Sequence, residues 1–151
     1  MQVSFYFEKQ KPELNEAIRC GFDLGFFSIS GNQGKFDSES LQMPCKIYVY
    51  ITIIDVLDSL RRLITSKKNM VEAIVAGSSI RIKFEKINSH LFSLSINKNL
   101  IEISPLMDMV RDFIFCVEQF LNNENNRLLD SDSVFDDLNS ALVQLRKTAA
   151  R

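Results

Sequence analysis

Successive segments between residues 70 and 103 alternate apolar and polar side chains, and this pattern constrains the fold more than any other feature. Residues 80–85, for example, alternate Ile, Ile and Phe with Arg, Lys and Glu, as expected of a strand with one buried face. Turn-forming residues at 88–89 and 97–99 separate neighbouring segments. We therefore predict an antiparallel meander with one apolar face and one face in contact with solvent.

Three other segments carry apolar residues at helical spacing. They predict a helix over residues 53–66, a second from Ser104 to about residue 121, and a third from Ser133 onward. We expect Thr52, Ser104 and Ser133 to be N-caps, because a hydroxyl oxygen there can accept a hydrogen bond from a backbone N–H of the first turn.

The part of the chain before the first helix contains further strand patterns. They lie at residues 3–8, 24–30, 35–39 and 45–51. A polar stretch over residues 8–16 includes Pro12 and could hold a short helical turn. Because strand and helix patterns are segregated rather than alternating, we predict a single α+β domain over residues 1–151. Its antiparallel meander sheet would have two to three helices packed on one face.

The cysteines and the apolar segments indicate the compartment. Cys20, Cys45 and Cys116 are odd in number and widely spaced, which argues against a disulfide framework or a structural zinc site. We interpret Cys116, in an apolar run, as a small buried hydrophobe in preference to a reactive thiol. The sequence has no signal-peptide pattern and no stretch of about 18–20 apolar residues. These features predict a protein of the reducing cytoplasm.

The net charge of −1 conceals an uneven distribution. Residues 1–60 carry 5 basic and 8 acidic side chains, residues 61–86 carry 7 and 2, and residues 87–151 carry 6 and 9. A nearly neutral chain has no general electrostatic attraction for nucleic acid or an anionic membrane. The basic region, residues 61–86, could contact RNA locally, but it lacks interleaved exposed aromatic residues of the kind that stack bases. We favour a solvated helix end followed by the wet face of a sheet.

Few residues suggest catalysis or metal binding. His90 is the only histidine and lies at a predicted turn without a metal-ligand or carboxylate pattern beside it. The pairs Asp55–Asp58 and Asp108–Asp112 have helical spacing. Asp55 and Asp108 also lie in first turns, where the helix dipole favours negative charge. We therefore predict no catalytic residues, no cofactor, no metal and no enzymatic activity.

Two runs of the sequence resemble a known class of proteins. Residues 47–60 predict a strand that runs directly into a capped helix, and residues 93–120 predict a hairpin and then a long apolar helix. Over about residues 45–121 this arrangement is similar to small bacterial immunity proteins of polymorphic-toxin and contact-dependent growth inhibition systems. The resemblance implies a cytosolic, non-enzymatic α+β protein that neutralises a cognate toxin, often a nuclease, by occluding its active site. The chain departs from the strongly acidic composition that inhibitors of basic nucleases tend to have.

The leading hypothesis is therefore an immunity protein whose partner is a cognate toxin domain, with no membrane and no direct nucleic-acid partner. Exposed acidic and aromatic side chains are the expected contacts: Asp37, Glu39, Tyr48, Tyr50, Asp130 and Asp132. Tyrosines on a wet sheet face favour an interface, although they could equally cover the sheet or be buried under the first helix. The sequence leaves the oligomeric state open. The alternative hypothesis is a small binding or regulatory adaptor that uses the basic region to bind RNA or an acidic protein.

Overall fold

Four strands form the first antiparallel sheet of the computed structural model, which describes residues 1–8, 18–66 and 68–150. They are β1 (Gln2–Tyr6), β2 (Leu24–Ser30), β3 (Lys35–Asp37) and β4 (Ile47–Tyr48). β2 pairs with each of the other three. The first three predicted strands are confirmed, with somewhat different ends. The helical turn suggested for residues 8–16 falls almost entirely outside the described residues.

The second sheet is the predicted meander. Its strands are β5 (Met70–Ile74), β6 (Arg81–Lys86), β7 (Phe92–Ile96) and β8 (Asn99–Ser104), paired in that order. Asn97 and Lys98 both have positive φ, 47° and 72°, as the tight turns that best fit the twist of a hairpin require. The predicted turn between β7 and β8 is thus confirmed, and so is the α+β class. The strands divide between two sheets, whereas the sequence predicted one, because a long helix separates β4 from β5.

That helix, α1 (Val49–Thr65), begins earlier than predicted. The predicted strand over residues 45–51 is wrong except for Ile47 and Tyr48. Its last apolar residues belong to a buried helical stripe that continues through Leu60. Thr52 is not an N-cap. It lies inside the helix, and its Oγ1 accepts a hydrogen bond from the backbone N–H of Ala76 at 3.1 Å.

The other helices are α2 (Leu106–Asn122) and α3 (Phe135–Ala149), and a short 3-10 helix (Glu124–Asn126) follows α2. Neither helix has the predicted serine N-cap. Pro105 stands at the N-cap position of α2 and Val134 at that of α3. Ser104 ends β8 instead, because its backbone is still paired opposite Phe92.

The core is formed where the helices meet the two sheets. α1 contacts β5 and α3, and α2 contacts β1. Phe84 on β6 and Phe113 on α2 are fully buried and meet edge to face, with ring centroids 5.8 Å apart. One continuous cluster of buried side chains therefore joins both sheets and all three helices.

Both edges of the second sheet are covered by polar contacts. On the β5 side, the Ser59 hydroxyl of α1 donates to the carbonyl oxygen of Glu72 at 3.3 Å, and Thr52 receives the Ala76 N–H. On the β8 side, the Asn32 side chain exchanges two hydrogen bonds with the backbone of Ile103. These contacts occupy backbone groups that an open sheet edge would leave exposed.

Candidate interaction site

A tight turn before β2 presents the Phe22 side chain to solvent. The backbone N–H of Asp23 donates to the carbonyl oxygen of Cys20 at 2.9 Å, and the Asp23 carboxylate accepts the Cys20 N–H at 3.1 Å. Gly21 packs so closely on the loop before α3 that a Cβ atom there would lie 2.3 Å from Cγ2 of Val134. The turn is therefore held by its own hydrogen bonds and by the loop against which Gly21 packs.

Phe22, Leu24 and Tyr48 form an exposed cluster, which we call the apolar patch. The rings of Phe22 and Tyr48 are nearly perpendicular, with centroids 6.4 Å apart. Leu24 and Tyr48 are opposite partners on β2 and β4. The three residues are 57%, 48% and 37% exposed. Three exposed apolar side chains grouped around one tyrosine are a better docking feature than scattered single ones.

Asp132 connects this turn to the start of α3. Its carboxylate accepts the N–H of Gly21 at 2.9 Å and the N–H of Val134 at 2.8 Å. The hydrogen bonds from Val134 and from Gly21 hold the pKa of Asp132 below its usual range. Residues 130–137, the acidic segment, contain four carboxylates and no cation. The bond between Asp132 and Gly21 therefore places acidic groups beside the turn that carries Phe22.

A cleft of about 1270 Å³ opens between the end of β1 and residues 123–131. Arg19 lies in its wall, with the guanidinium carbon 3.8 Å from the centroid of the Phe7 ring. The Arg19 Nε donates to the carbonyl oxygen of Asn125 at 2.8 Å, and Asp130 also lines the cleft. The cleft thus offers aromatic, carbonyl and carboxylate groups to a ligand or to a partner's side chain.

Tyr50 fixes one wall of the cleft from inside the protein. Its hydroxyl donates to the carbonyl oxygen of Asn126 at 2.6 Å, and the Asn126 side-chain amide donates to the carbonyl oxygen of Phe120 at 3.0 Å. The tyrosine ring also packs against Phe7 and Phe120. Burial raises the pKa of Tyr50. The 3-10 helix is thereby tied to both α1 and α2.

The predicted contact residues fall into three environments. Tyr48, Asp130 and Asp132 lie at or beside the turn, the cleft and the acidic segment described above. Asp37 lies on β3 and is half-buried, and Glu39 is exposed just beyond it. The predicted exposure of Tyr50 is wrong, because the residue belongs to α1 and points into the core, where it is 0% exposed.

Asp37 forms a polar cluster of its own. It accepts hydrogen bonds from the hydroxyl of Tyr6 at 2.7 Å, the N–H of Glu39 at 3.0 Å and the hydroxyl of Ser40 at 2.9 Å. Burial acts to raise the pKa of Asp37, but these hydrogen bonds outweigh it and lower the pKa. Tyr6 lines the cleft, so Asp37 is joined to the cleft through one side chain.

Sequence reasoning missed Phe22 and Leu24. Phe22 lies outside any periodic pattern, and Leu24 was assigned to a strand without a predicted face. The sequence around Phe22 could have indicated its exposure. It lies between a glycine and an aspartate, in a turn, where no strand or helix face is available to bury an apolar side chain.

The basic region does not form a continuous cationic surface. Four of its cations contact nearby side chains: Arg61 with Asp58, Arg62 with Ser59, Arg81 with Glu72, and Lys83 with Glu85. Lys67 lies outside the described residues. The outer face of the second sheet therefore carries both signs of charge in alternation, which offers little attraction to a phosphate backbone.

The remaining chemical candidates occupy structural positions. His90 is exposed in the turn before β7, and its backbone N–H donates to the Asn88 side chain. Cys116 is buried, and burial raises the pKa of its thiol to about 12. Burial, followed by the nearby Asp58, raises the pKa of Asp55. Among the residues that the structure describes, no group of three or more His, Cys, Asp or Glu side chains is placed to hold a metal ion.

Comparisons with protein-family models, curated proteins and solved structures gave no match to this chain. Among the helices within the described ranges, none has both the length and the apolar character needed to cross a lipid bilayer. The observations that bear on function are therefore the apolar patch, the cleft and the acidic segment.

Proposed function

We propose that this protein is a bacterial immunity protein that binds a cognate toxin domain, a nuclease, in the cytoplasm and blocks its active site. The observation that carries the proposal is the position of Tyr48, Asp130 and Asp132. They are three of the six expected contacts and are distant in sequence. Tyr48 and Asp132 contact the turn that carries Phe22, and Asp130 lines the cleft next to that turn.

The chemistry of this surface suits a protein partner. Protein interfaces combine an aromatic or aliphatic centre with a polar rim. Tyr48 and its neighbours supply the apolar centre, and the acidic segment supplies carboxylates beside it. A nuclease binds a phosphate backbone with basic side chains around its active site, so an acidic surface is complementary to that region.

The rigidity of the surface also supports tight binding. The turn and the acidic segment are held by backbone N–H groups that donate to the carboxylates of Asp23 and Asp132, and the 3-10 helix is held by the Tyr50 hydroxyl, which donates to a carbonyl oxygen. Groups that are already fixed lose little conformational entropy on association. Of the two runs that resemble immunity proteins, residues 93–120 fold into the hairpin and long helix that the resemblance involves, and this run supports the same function. Residues 47–60 match it less well, because only a two-residue strand precedes α1.

Co-expression with the product of the adjacent upstream gene, which the proposal expects to contain the toxin domain, tests the proposal. We expect this chain to restore growth of cells that express the toxin domain and to co-purify with it. A matched control is His90→Ala, which lies in a distant exposed turn and should rescue growth fully. Failure of the wild-type chain both to bind and to rescue would contradict the proposal. Salt-dependent binding of RNA by the wild type would instead favour the adaptor hypothesis, if it is lost on neutralising four basic residues: Arg61, Arg62, Lys67 and Lys68.

A further inference from the structure

We infer that the apolar patch is the energetic centre of the interface, and that the partner covers it with an apolar side chain surrounded by lysines and arginines. This inference rests on the proposed function and names the surface chemistry of the toxin at that site. It concerns Phe22, Leu24 and Tyr48 together with the acidic segment beside them.

Tyr48 joins these three side chains into a group. Phe22 and Tyr48 meet edge to face, and Leu24 stands opposite Tyr48 across the β2–β4 pair. A partner side chain that covers Tyr48 would therefore also lie beside Phe22 and Leu24. Aromatic residues in such desolvated centres carry most of the free energy of many protein complexes.

The surrounding backbone holds the patch in place before any partner arrives. The N–H of Tyr48 donates to the carbonyl oxygen of Ala76 at 3.0 Å, and the N–H of Val49 donates to the carbonyl oxygen of Asp23 at 3.2 Å. The Tyr48 ring rests on Gly77, where a Cβ atom would lie 2.9 Å from its Cδ2. Because the rings are positioned by these contacts, burying them on association costs little rotamer entropy.

The charge beside the patch selects the partner. The acidic segment brings four carboxylates and no cation, and Asp132 ties it to Gly21, the neighbour of Phe22. Asp23, the other neighbour of Phe22, is paired with Arg19 at 3.6 Å and adds no net charge. A second copy of this chain would be a poor occupant, because a symmetric contact through the patch would bring two acidic segments together. A partner whose apolar side chain is surrounded by cationic groups would be complementary both to the apolar patch and to the acidic segment.

The purified product of the adjacent upstream gene, titrated into the purified full chain, provides the test. We expect Phe22→Ser and Leu24→Ser each to raise the Kd about tenfold or more. Phe115→Ser, at a 63% exposed position on α2, is the matched control and should leave the Kd unchanged. The triple change Asp130→Asn, Asp136→Asn and Asp137→Asn should slow association about fivefold or more and flatten its dependence on salt. Thermal unfolding of each variant checks that it is folded.

The outcomes separate this inference from the proposed function. If the patch variants are folded and bind as tightly as the wild type, the inference is wrong while the proposed function stands. If the wild type does not bind the toxin at all, both fail. Sedimentation velocity should show a monomer, and a dimer that Phe22→Ser dissociates would overturn the inference in favour of a second copy as the occupant.

Discussion

The side-chain amide of Asn32 pairs with the backbone of Ile103 as a neighbouring strand would. Its Nδ2 donates to the Ile103 carbonyl oxygen at 2.7 Å, and its Oδ1 accepts the Ile103 N–H at 3.0 Å. The turn between β2 and β3 is thereby joined to the edge of β8. The buried carboxylate of Glu102 accepts the Asn32 backbone N–H at 2.8 Å and strengthens this connection between the two sheets.

Replacing Asn32 should weaken the association of the two sheets. Asn32→Ala removes both hydrogen bonds to Ile103 and should lower the free energy of unfolding by about 1–3 kcal/mol. Urea denaturation measures this change. Gln33→Ala alters the next, exposed residue of the same turn and should have little effect. Equal losses from the two substitutions would show that the Asn32 side chain does not join the sheets.

Removing the Tyr50 hydroxyl should loosen the wall of the cleft. Tyr50→Phe leaves the carbonyl oxygen of Asn126 without this donor, and we expect a loss of about 1–3 kcal/mol. Hydrogen exchange should accelerate at residues 124–127, because the 3-10 helix loses its tie to α1. Tyr48→Phe is the matched change at the half-exposed tyrosine. Unchanged exchange in Tyr50→Phe would contradict the role assigned to this hydrogen bond.

The tie between Asp132 and Gly21 should depend on pH. Because the folded protein lowers the pKa of Asp132, its contribution to stability is present above the unfolded pKa of about 3.9 and is lost as the pH falls through the folded pKa. Asp132→Asn should therefore be less stable than the wild type at pH 6. Its stability should also fall less between pH 6 and pH 3.

Chemical denaturation at several pH values measures both effects. Asp130→Asn, which changes an exposed carboxylate of the same acidic segment, is the control and should keep the wild-type pH dependence. The same pH dependence in Asp132→Asn and in the wild type would rule out Asp132 as the titrating group.

Gly77 should be intolerant of a side chain. Its φ is +84°, a conformation that costs about 1–2 kcal/mol for other residues, and a Cβ atom would also press on the Tyr48 ring. We expect Gly77→Ala to lower the free energy of unfolding by about that amount and to weaken toxin binding by displacing Tyr48. Ser79→Ala, in the same loop, should do neither. Normal stability and binding in Gly77→Ala would show that the ring position is unimportant.

Much of the fold could be predicted because local patterns and tertiary packing agree there. The meander follows from strict alternation and from the Asn97–Lys98 turn, and the helices α2 and α3 follow from their apolar stripes. The start of α1 could not be predicted from local pattern. Residues 47–51 fit a strand pattern and a helical pattern equally well. Val49 and Tyr50 are helical in the structure because the helix buries both side chains in the core.

The site was harder to predict than the fold because it is assembled from distant segments. Tyr48, Asp130 and Asp132 were recognised as residues that could contact a partner, but nothing local shows that Gly21 joins them. That contact requires the missing side chain at Gly21 and the carboxylate of Asp132, 111 residues away in sequence. Phe22 acquires its role only through this packing.

The most direct measurement is the activity of the purified toxin domain titrated with this protein. If the protein blocks the active site, activity should fall linearly and reach zero at one equivalent of the wild-type chain. Folded Phe22→Ser should require a large excess to produce the same inhibition. Full toxin activity in the presence of excess wild-type protein would contradict the proposal that this chain is an immunity protein.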